Sequence, residues 1–298
     1  MSEYIPESFR KEIICHVYKN VIANYTDWSV PLILVISGPP GVGKTYQTEK
    51  ILEEMSCNVH RMSGSEFESG EAGRPAKLIQ KAYLKASQEQ NENKRPSVLL
   101  IDDADSVIGN WGEMVQYTVN SQMVNKTLLD IADHPKVIHE IKESSSGGVA
   151  LKKTDTNRIS IIMTCNDSGK FYAPLMRPGR SKLFVWNPDL ETVKMVVGPK
   201  FPYLDADAIS ELVDRIDAYS KSIDPKRYIN GVPISTYTDM GTMLLDRQIV
   251  EISHNISLNE IVSNPGDIGS LIADYPNPSV DLLFDLAAEL VQRRDSFV

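Results

Sequence analysis

Residues 38–45 read Gly38-Pro39-Pro40-Gly41-Val42-Gly43-Lys44-Thr45, a G-x-x-x-x-G-K-[ST] phosphate-binding loop. Just before it, Pro31 to Ser37 reads as a short buried strand; just after it, Tyr46 to Met55 reads as a helix. Strand, glycine loop and helix is the context this motif requires. The glycines let successive backbone N–H groups turn inward onto phosphate oxygens at a helix N-terminus. Gly38 through Tyr46 are therefore the expected nucleotide-binding residues. Lys44 would reach the β- and γ-phosphates, and the Thr45 hydroxyl would hold Mg²⁺. ATP and Mg²⁺ are the cofactors expected; an unrelated glycine turn is the alternative.

At 298 residues the chain can bury a sizeable core and divide into two domains. Its formal charge of −9 argues against a nucleic-acid partner, which usually meets a basic face. No apolar run reaches the ~18 residues a membrane span needs, so no membrane partner is expected. Cys15, Cys57 and Cys165 are scattered without metal-type spacing, as in a reducing compartment. The expected location is the cytoplasm, or the plastid stroma if the source is a photosynthetic eukaryote. Cys57 and Cys165 are expected to be buried small apolar residues.

Outward from the loop, residues 1–30 read as helix then loop, with Ile13, Ile14, Val17, Val21 and Ile22 at helical spacing. Asn58 to Met62 reads as a strand, Glu66 to Pro75 as a Gly- and Glu-rich loop, and Ala76 to Gln90 as a helix. Asn91 to Pro96 is a polar turn before the apolar strand Ser97–Ile101. Gln116 to Ala132 reads as a helix. His134 to Asn157, with Ser144-Ser145-Ser146-Gly147-Gly148 at its middle, reads as a flexible loop or disordered hairpin. Arg158 to Thr164 is a further strand. Strands alternating with helices predict a parallel sheet in a three-layer αβα sandwich. Beyond Pro188 the pattern is helical, with Ile209, Leu212, Val213 and Ile216 on one stripe. Val280, Leu283, Leu286, Leu290 and Val291 form another, capped by Ser279. The reading is an α/β domain over 1–187 and a smaller, mostly helical domain over 188–298.

The strand Val98–Ile101 delivers Asp102 and Asp103 to its C-terminal end, where ligands bind in an open parallel sheet. Asp102 would act through Mg²⁺ and Asp103 would polarise an attacking water; a strand-end turn with a helix cap is the other reading. Asn166 ends the next strand, where it would hydrogen-bond the γ-phosphate or the water, or serve as a turn residue. Arg177 and Arg180, in Arg177-Pro178-Gly179-Arg180, would stabilise charge on the transferred phosphoryl group, or form surface ion pairs.

Phosphate loop, acidic strand end, Asn and R-P-G-R, in that order, resemble the AAA+ ATPases, a P-loop NTPase family. Met62 to Ile79 (MSGSEFESGEAGRPAKLI), Gln116 to Pro135 (QYTVNSQMVNKTLLDIADHP), Cys165-Asn166-Asp167 and Phe171 to Arg177 resemble Rubisco activases more narrowly, as do Phe184-Val185-Trp186 and Glu289 to Gln292. The likeness is strong over 62–186 and weak from 188 to 280. It implies a homo-oligomeric ring, usually a hexamer, with Arg177 and Arg180 acting on the neighbouring subunit's nucleotide. It also implies a protein client, Rubisco, from which ATP hydrolysis would release inhibitory sugar phosphates. By the same resemblance, client-gripping pore loops would fall at 68–74, 108–112 with Trp111, and 136–157 with Lys152 and Lys153. Trp111 reads equally as a loop anchor, Lys152 and Lys153 as solvated surface, and Phe67 and Tyr117 as core or interface residues. Three departures are visible. The loop is the general GPPGVGKT, the strand ends Asp-Asp where activases more often show Asn-Asp, and 240–247 lacks an arginine-rich helix, leaving Arg247 as a weak candidate sensor. An activase-like ATPase acting on another complex is the alternative; a DNA-acting or scaffold protein is a more distant one.

Overall fold

The computed structural model describes residues 4–63, 73–108, 115–143, 149–255 and 277–295. The chain forms two compact units, one of Glu7–Pro40 with Lys44–Trp186, the other of Asn187–Val298 with Met1–Pro6 and Gly41–Gly43.

The first unit is built on five parallel strands in the order β2-β3-β6-β1-β7. These are β1 (Ile33–Ser37), β2 (Asn58–Met62), β3 (Ser97–Ile101), β6 (Ser160–Cys165) and β7 (Ser181–Val185). Every residue of β1, β3 and β6 is buried. That is why ILVIS, SVLLI and SIIMTC read as unbroken apolar runs: central parallel strands are covered on both faces. The edge strands β2 and β7 are only partly covered. Helices α1 (Glu7–Ile22), α2 (Lys44–Glu54), α3 (Arg74–Asn93), α4 (Ala104–Ile108) and α5 (Val115–Asp133) flank the sheet. One apolar core joins Tyr83 and Ile79 of α3 and Leu128 of α5 to Leu99, Ile101, Ile161 and Met163 of the sheet.

The structure corrects or extends the sequence reading at four points. Helix α2 starts at Lys44, not Tyr46, because the phosphate loop ends directly in its first turn. The buried face of α1 is Phe9, Ile13, His16, Val17 and Asn20, not the Ile14, Val21 and Ile22 of the apolar pattern. His16 and Asn20 can face inward because backbone carbonyls receive them, with His16 Nε2 3.2 Å from Ile161 O and Asn20 Nδ2 donating to Pro31 O at 3.1 Å. Residues 134–157 hold an antiparallel ribbon, β4 (Val137–Glu143) paired with β5 (Val149–Asp155). Residues 144–148 lie outside the described residues. Strand β7 was not anticipated: SKLFV places Leu183 and Val185 in exposed positions, so it carries no clear period of two.

The second unit contains α6 (Leu190–Val197), α7 (Ala206–Ile223), α8 (Ile234–Asn255) and α9 (Val280–Asp295), with no strand among its described residues. Leu212, Val213 and Ile216 of α7 pack with Leu283, Leu286 and Val291 of α9, around Tyr237 and Met240 of α8. Asp189 and Asp205 cap α6 and α7 through the Thr192 and Ala208 amides, and Ser279 Oγ caps α9 through the Leu282 N–H.

One buried hydroxyl ties α3 to the sheet. Tyr83 Oη donates to Pro135 O at 2.8 Å and accepts from the Ile159 N–H at 3.0 Å. Tyr83→Phe strands both backbone groups and should cost about 1–3 kcal/mol. Trp28 and Trp186 belong to this unit, so urea denaturation followed by tryptophan fluorescence reads the loss. An unchanged midpoint would mean that water takes over both bonds.

Candidate nucleotide site

The site collects at the C-terminal ends of β1, β3 and β6, which the strand order makes neighbours. Gly38 opens the loop, and a Cβ there would sit 2.0 Å from Trp186 O, so no other residue fits. Gly41 and Gly43 have φ of +76° and +81°, the left-handed region glycine adopts without strain. Lys44 is buried, and burial pushes its pKa down. Its ammonium donates to Gly38 O at 2.8 Å, Pro39 O at 2.9 Å and Asn166 Oδ1 at 2.9 Å. Asn166 thus meets the loop through its lysine. Tyr46 is exposed in the first turn of α2.

Thr45 Oγ1 donates to Asp102 Oδ1 at 2.6 Å, and Thr164 Oγ1 donates to the same oxygen at 2.6 Å. Arg61 Nη2 donates to Asp102 Oδ2 at 2.8 Å, while its Nη1 lies 2.7 Å from Glu49 Oε1. Burial raises the Asp102 pKa, but the hydrogen bonds from Thr164, Thr45 and Arg61 bring it below the ordinary value. Asp103 follows in the left-handed region at φ 48°, and its N–H donates to Thr164 Oγ1 at 3.2 Å. Its carboxyl is pushed up by burial and then by the charges of Asp102 and Asp105; among the described residues no donor reaches it. Adjacent carboxylates with opposite shifts have separate chemistry, one held as an anion and the other fit to accept a proton.

Thr45 and Asp102 are hard oxygen donors, a set that suits Mg²⁺ whose remaining places go to phosphate oxygens and water. Among the described residues no group of three or more His, Cys, Asp or Glu forms a metal cage. The donor set therefore fits a metal that arrives with a polyphosphate.

Sequence reasoning missed three residues. Thr164 links Asp102 to the Asp103 amide; a hydroxyl beside the end of an otherwise apolar strand was its signal. Buried Asp105 accepts the Asn166 and Asp167 amides at 3.1 Å each and so orders the turn that carries Asn166. Arg61 had no signal, because its partner Asp102 is 41 positions away.

Arg177 and Arg180 do not join this group. They precede β7 at the N-terminal end of the sheet, where the Ile33 N–H donates to Arg180 O at 3.0 Å. The phosphate loop begins beyond the far end of β1, roughly 13 Å along the strand. Arg180 is held by Asp133 through two bonds of 2.6 and 2.8 Å and donates to Pro174 O at 2.8 Å. Arg177 is exposed, and among the described residues it has no ion pair. The two arginines line a cavity of about 410 Å³ together with Ser29, Asp133 and Arg158. Of the proposed client loops, 68–72 and Trp111 lie outside the described residues, as does Phe67; Lys152 and Lys153 are exposed on β5, and Arg247 is exposed on α8.

Comparison with known proteins matches residues 34–189 to the family model described as ATPase family associated with various cellular activities (AAA). The chain belongs to the AAA family of ATPases. Among its AAA relatives is the ribulose bisphosphate carboxylase/oxygenase activase of Nostoc sp. (strain PCC 7120), 34% identical over 261 residues, covering 88% of this chain and 58% of that protein. The chloroplastic activase of Phaseolus vulgaris is 42% identical over 188 residues, covering 63% of this chain and 41% of the relative. The chain thus spans about half the length of the relatives it matches. Among solved structures, the E. coli MS115-1 HORMA:CdnC:Trip13 complex aligns with a TM-score of 0.57 at 16% identity over 98% of this chain and 89% of that one, a likeness of AAA fold. Among the described residues no helix is long and apolar enough to cross a membrane.

The raised pKa of Asp103 has a consequence for stability. A carboxyl of this kind supports the folded state when protonated, and that support is lost as pH rises through its raised value. Asp103→Asn removes the loss, and Asn tolerates the left-handed backbone. The variant should show a higher denaturation midpoint at neutral pH, with the gain vanishing as pH falls into the range where the carboxyl is protonated. A gain that persists unchanged in acid would assign it to the backbone instead.

Proposed function

We propose that this chain hydrolyses ATP to ADP and phosphate and uses the cycle to remodel a protein client, in the manner of a Rubisco activase. The observation that carries the ATPase reading is the meeting of Lys44 with Asn166, and of Thr45 with Asp102 and Thr164, at neighbouring strand ends. Support for the client comes from the activase relatives. In this reading residues 1–187 are the nucleotide-binding domain and 188–298 a helical lid. The backbone N–H groups of 38–46 and the Lys44 ammonium bind the β- and γ-phosphates, and the phosphate oxygens take Lys44 from the carbonyls it holds here. Asp103 accepts a proton from the attacking water as the bond from the γ-phosphorus to the bridging oxygen breaks. Asn166 orients that water or the γ-phosphate. Thr45 and, through water, Asp102 would hold Mg²⁺, which would supply charge neutralisation at the phosphate oxygens.

The arginines point to a ring. A side chain at the N-terminal end of β7 does not reach the loop at the opposite end of its own sheet, but it can meet the nucleotide of an adjoining subunit. In this reading the chain works as a homo-oligomer, a hexamer by its family resemblance, with Arg177 as the free contact and Arg180 fixed in place by Asp133. The general GPPGVGKT loop and the Asp102-Asp103 end also suit an activase-like ATPase with a different protein client.

Client identity is tested by ATP-dependent recovery of carboxylation by sugar-phosphate-inhibited Rubisco, with Lys44→Ala as control. Recovery is expected, and is expected to disappear in the control. Absent recovery beside sound ATP turnover would leave the motor and replace the client.

The ring is tested by mixing. Arg177→Ala should lower turnover by about a thousandfold while nucleotide binding survives, and Lys44→Ala should abolish binding. Mixed rings contain interfaces with an intact loop from one subunit and an intact Arg177 from the other, so turnover should partly return. No return would sink the trans assignment.

A further inference from the structure

Arg61 belongs to none of the roles above, yet it makes the one contact on Asp102 Oδ2 among the described residues. It sits on the edge strand β2, paired in register with Leu100 of β3, and the Asp102 N–H donates to Met62 O at 2.9 Å. The guanidinium therefore lies beside the acidic strand end by strand pairing, not by chance rotation of a long side chain. Its other arm holds Glu49 at 2.7 Å. Glu49 is four residues beyond Thr45 on α2, so both face the same side of that helix. Arg61 thus bridges the helix that carries Thr45 to the strand that carries Asp102.

Asp102 Oδ1 already accepts from Thr45 and Thr164. A metal-bound water that donates to this carboxylate has Oδ2 left to it, and there the guanidinium is in the way. A divalent cation beside Thr45 would also lie close to a fixed positive charge. Its side chain is about half exposed, at 51%, so solvent can take up the guanidinium where a cation displaces it from Asp102.

We propose that Arg61 is a positioning residue that competes with Mg²⁺ and its water shell for Asp102, and so sets how much Mg²⁺ the nucleotide site demands. The inference rests on the nucleotide-site reading above. Glu49 moderates the competition by holding the other arm of the guanidinium away from Asp102. Charge drives the effect, because Arg and Lys keep it while Gln does not.

The test is binding of a methylanthraniloyl-labelled ADP by the full chain, titrated with Mg²⁺ and repeated in EDTA. In Arg61→Gln the Mg²⁺ concentration for half-maximal binding should fall about tenfold, the scale of one charge-assisted hydrogen bond, while affinity in EDTA does not rise. Arg61→Lys should stay nearer the unaltered protein. Glu49→Gln frees the guanidinium for Asp102 and should move the midpoint upward. The shift in Arg61→Gln should shrink as salt is raised, as expected of a half-exposed charge. An unchanged or raised midpoint in Arg61→Gln, or an equal gain with and without Mg²⁺, would overturn the proposal and leave Arg61 a tether between α2 and β3. If the unaltered protein binds no labelled ADP and matches Lys44→Ala, the nucleotide-site reading itself fails, and that result is distinct from the others.

Discussion

The Asp102 carboxylate is the point on which the site depends. Thr45 donates to it from the start of α2, Thr164 from β6, and Arg61 from β2. Three elements of the first unit are thereby fixed to the end of a fourth. The contacts are short because the acceptor is ionised, and such bonds are roughly twice as strong as neutral ones. Thr164 contributes twice, since its oxygen also accepts the Asp103 N–H. Asp103 is consequently held in a left-handed turn that a non-glycine residue seldom adopts. Burial and then the charges of Asp102 and Asp105 push the Asp103 carboxyl up, while the three donors bring Asp102 below its ordinary value, so two adjacent carboxyls of the same type shift in opposite directions.

This convergence is a product of sheet topology. Placing β6 between β1 and β3 sets Cys165 opposite Ser37 and Met163 opposite Ile101. The loop after β1, the aspartates after β3 and the asparagine after β6 must then emerge side by side. Gly38 shows how closely the packing constrains the loop, since Trp186 after β7 leaves no room for a Cβ. Local motif and long-range strand order agree here, which is the consistency expected of a sequence that specifies one structure.

That agreement explains what could be read from the chain alone. The central strands and the phosphate loop were legible because buried parallel strands and glycine loops have strong local patterns. Asp102, Asp103 and Asn166 were legible because they end such strands. Strand β7 was not, since an edge strand with exposed Leu183 and Val185 has no local periodicity to show. The β4–β5 ribbon was legible as a possible hairpin around the Ser-Gly run, but its charged residues gave no sign that its strands pair over seven residues each. His16 and Asn20 of α1 break the apolar pattern because their partners are backbone carbonyls of other elements. Arg61 and Asp105 depend on pairings that only the folded sheet creates. The buried helical stripes of α7 and α9, by contrast, follow their sequence spacing closely.

Charge explains why the site and the acidic chain are compatible. A nucleotide brings several negative charges, and among the described residues the cations that act on Asp103, beside the carboxylates of Asp102 and Asp105, are Lys44 and Arg61. Lys44 alone lies on the loop itself, and burial weakens its hold on a proton. A polyphosphate would meet net repulsion there unless a divalent cation came with it. In the proposed function the same carboxylates that repel the phosphates would attract that cation, so nucleotide and metal would be coupled at this site. Asp105 adds its charge from the turn that carries Asn166, where its Oδ2 accepts two backbone amides. Arg61 then has a defined place. It offsets part of the carboxylate charge, and in the proposal above it would thereby make the strength of the coupling adjustable at a single exposed side chain, apart from the buried Lys44.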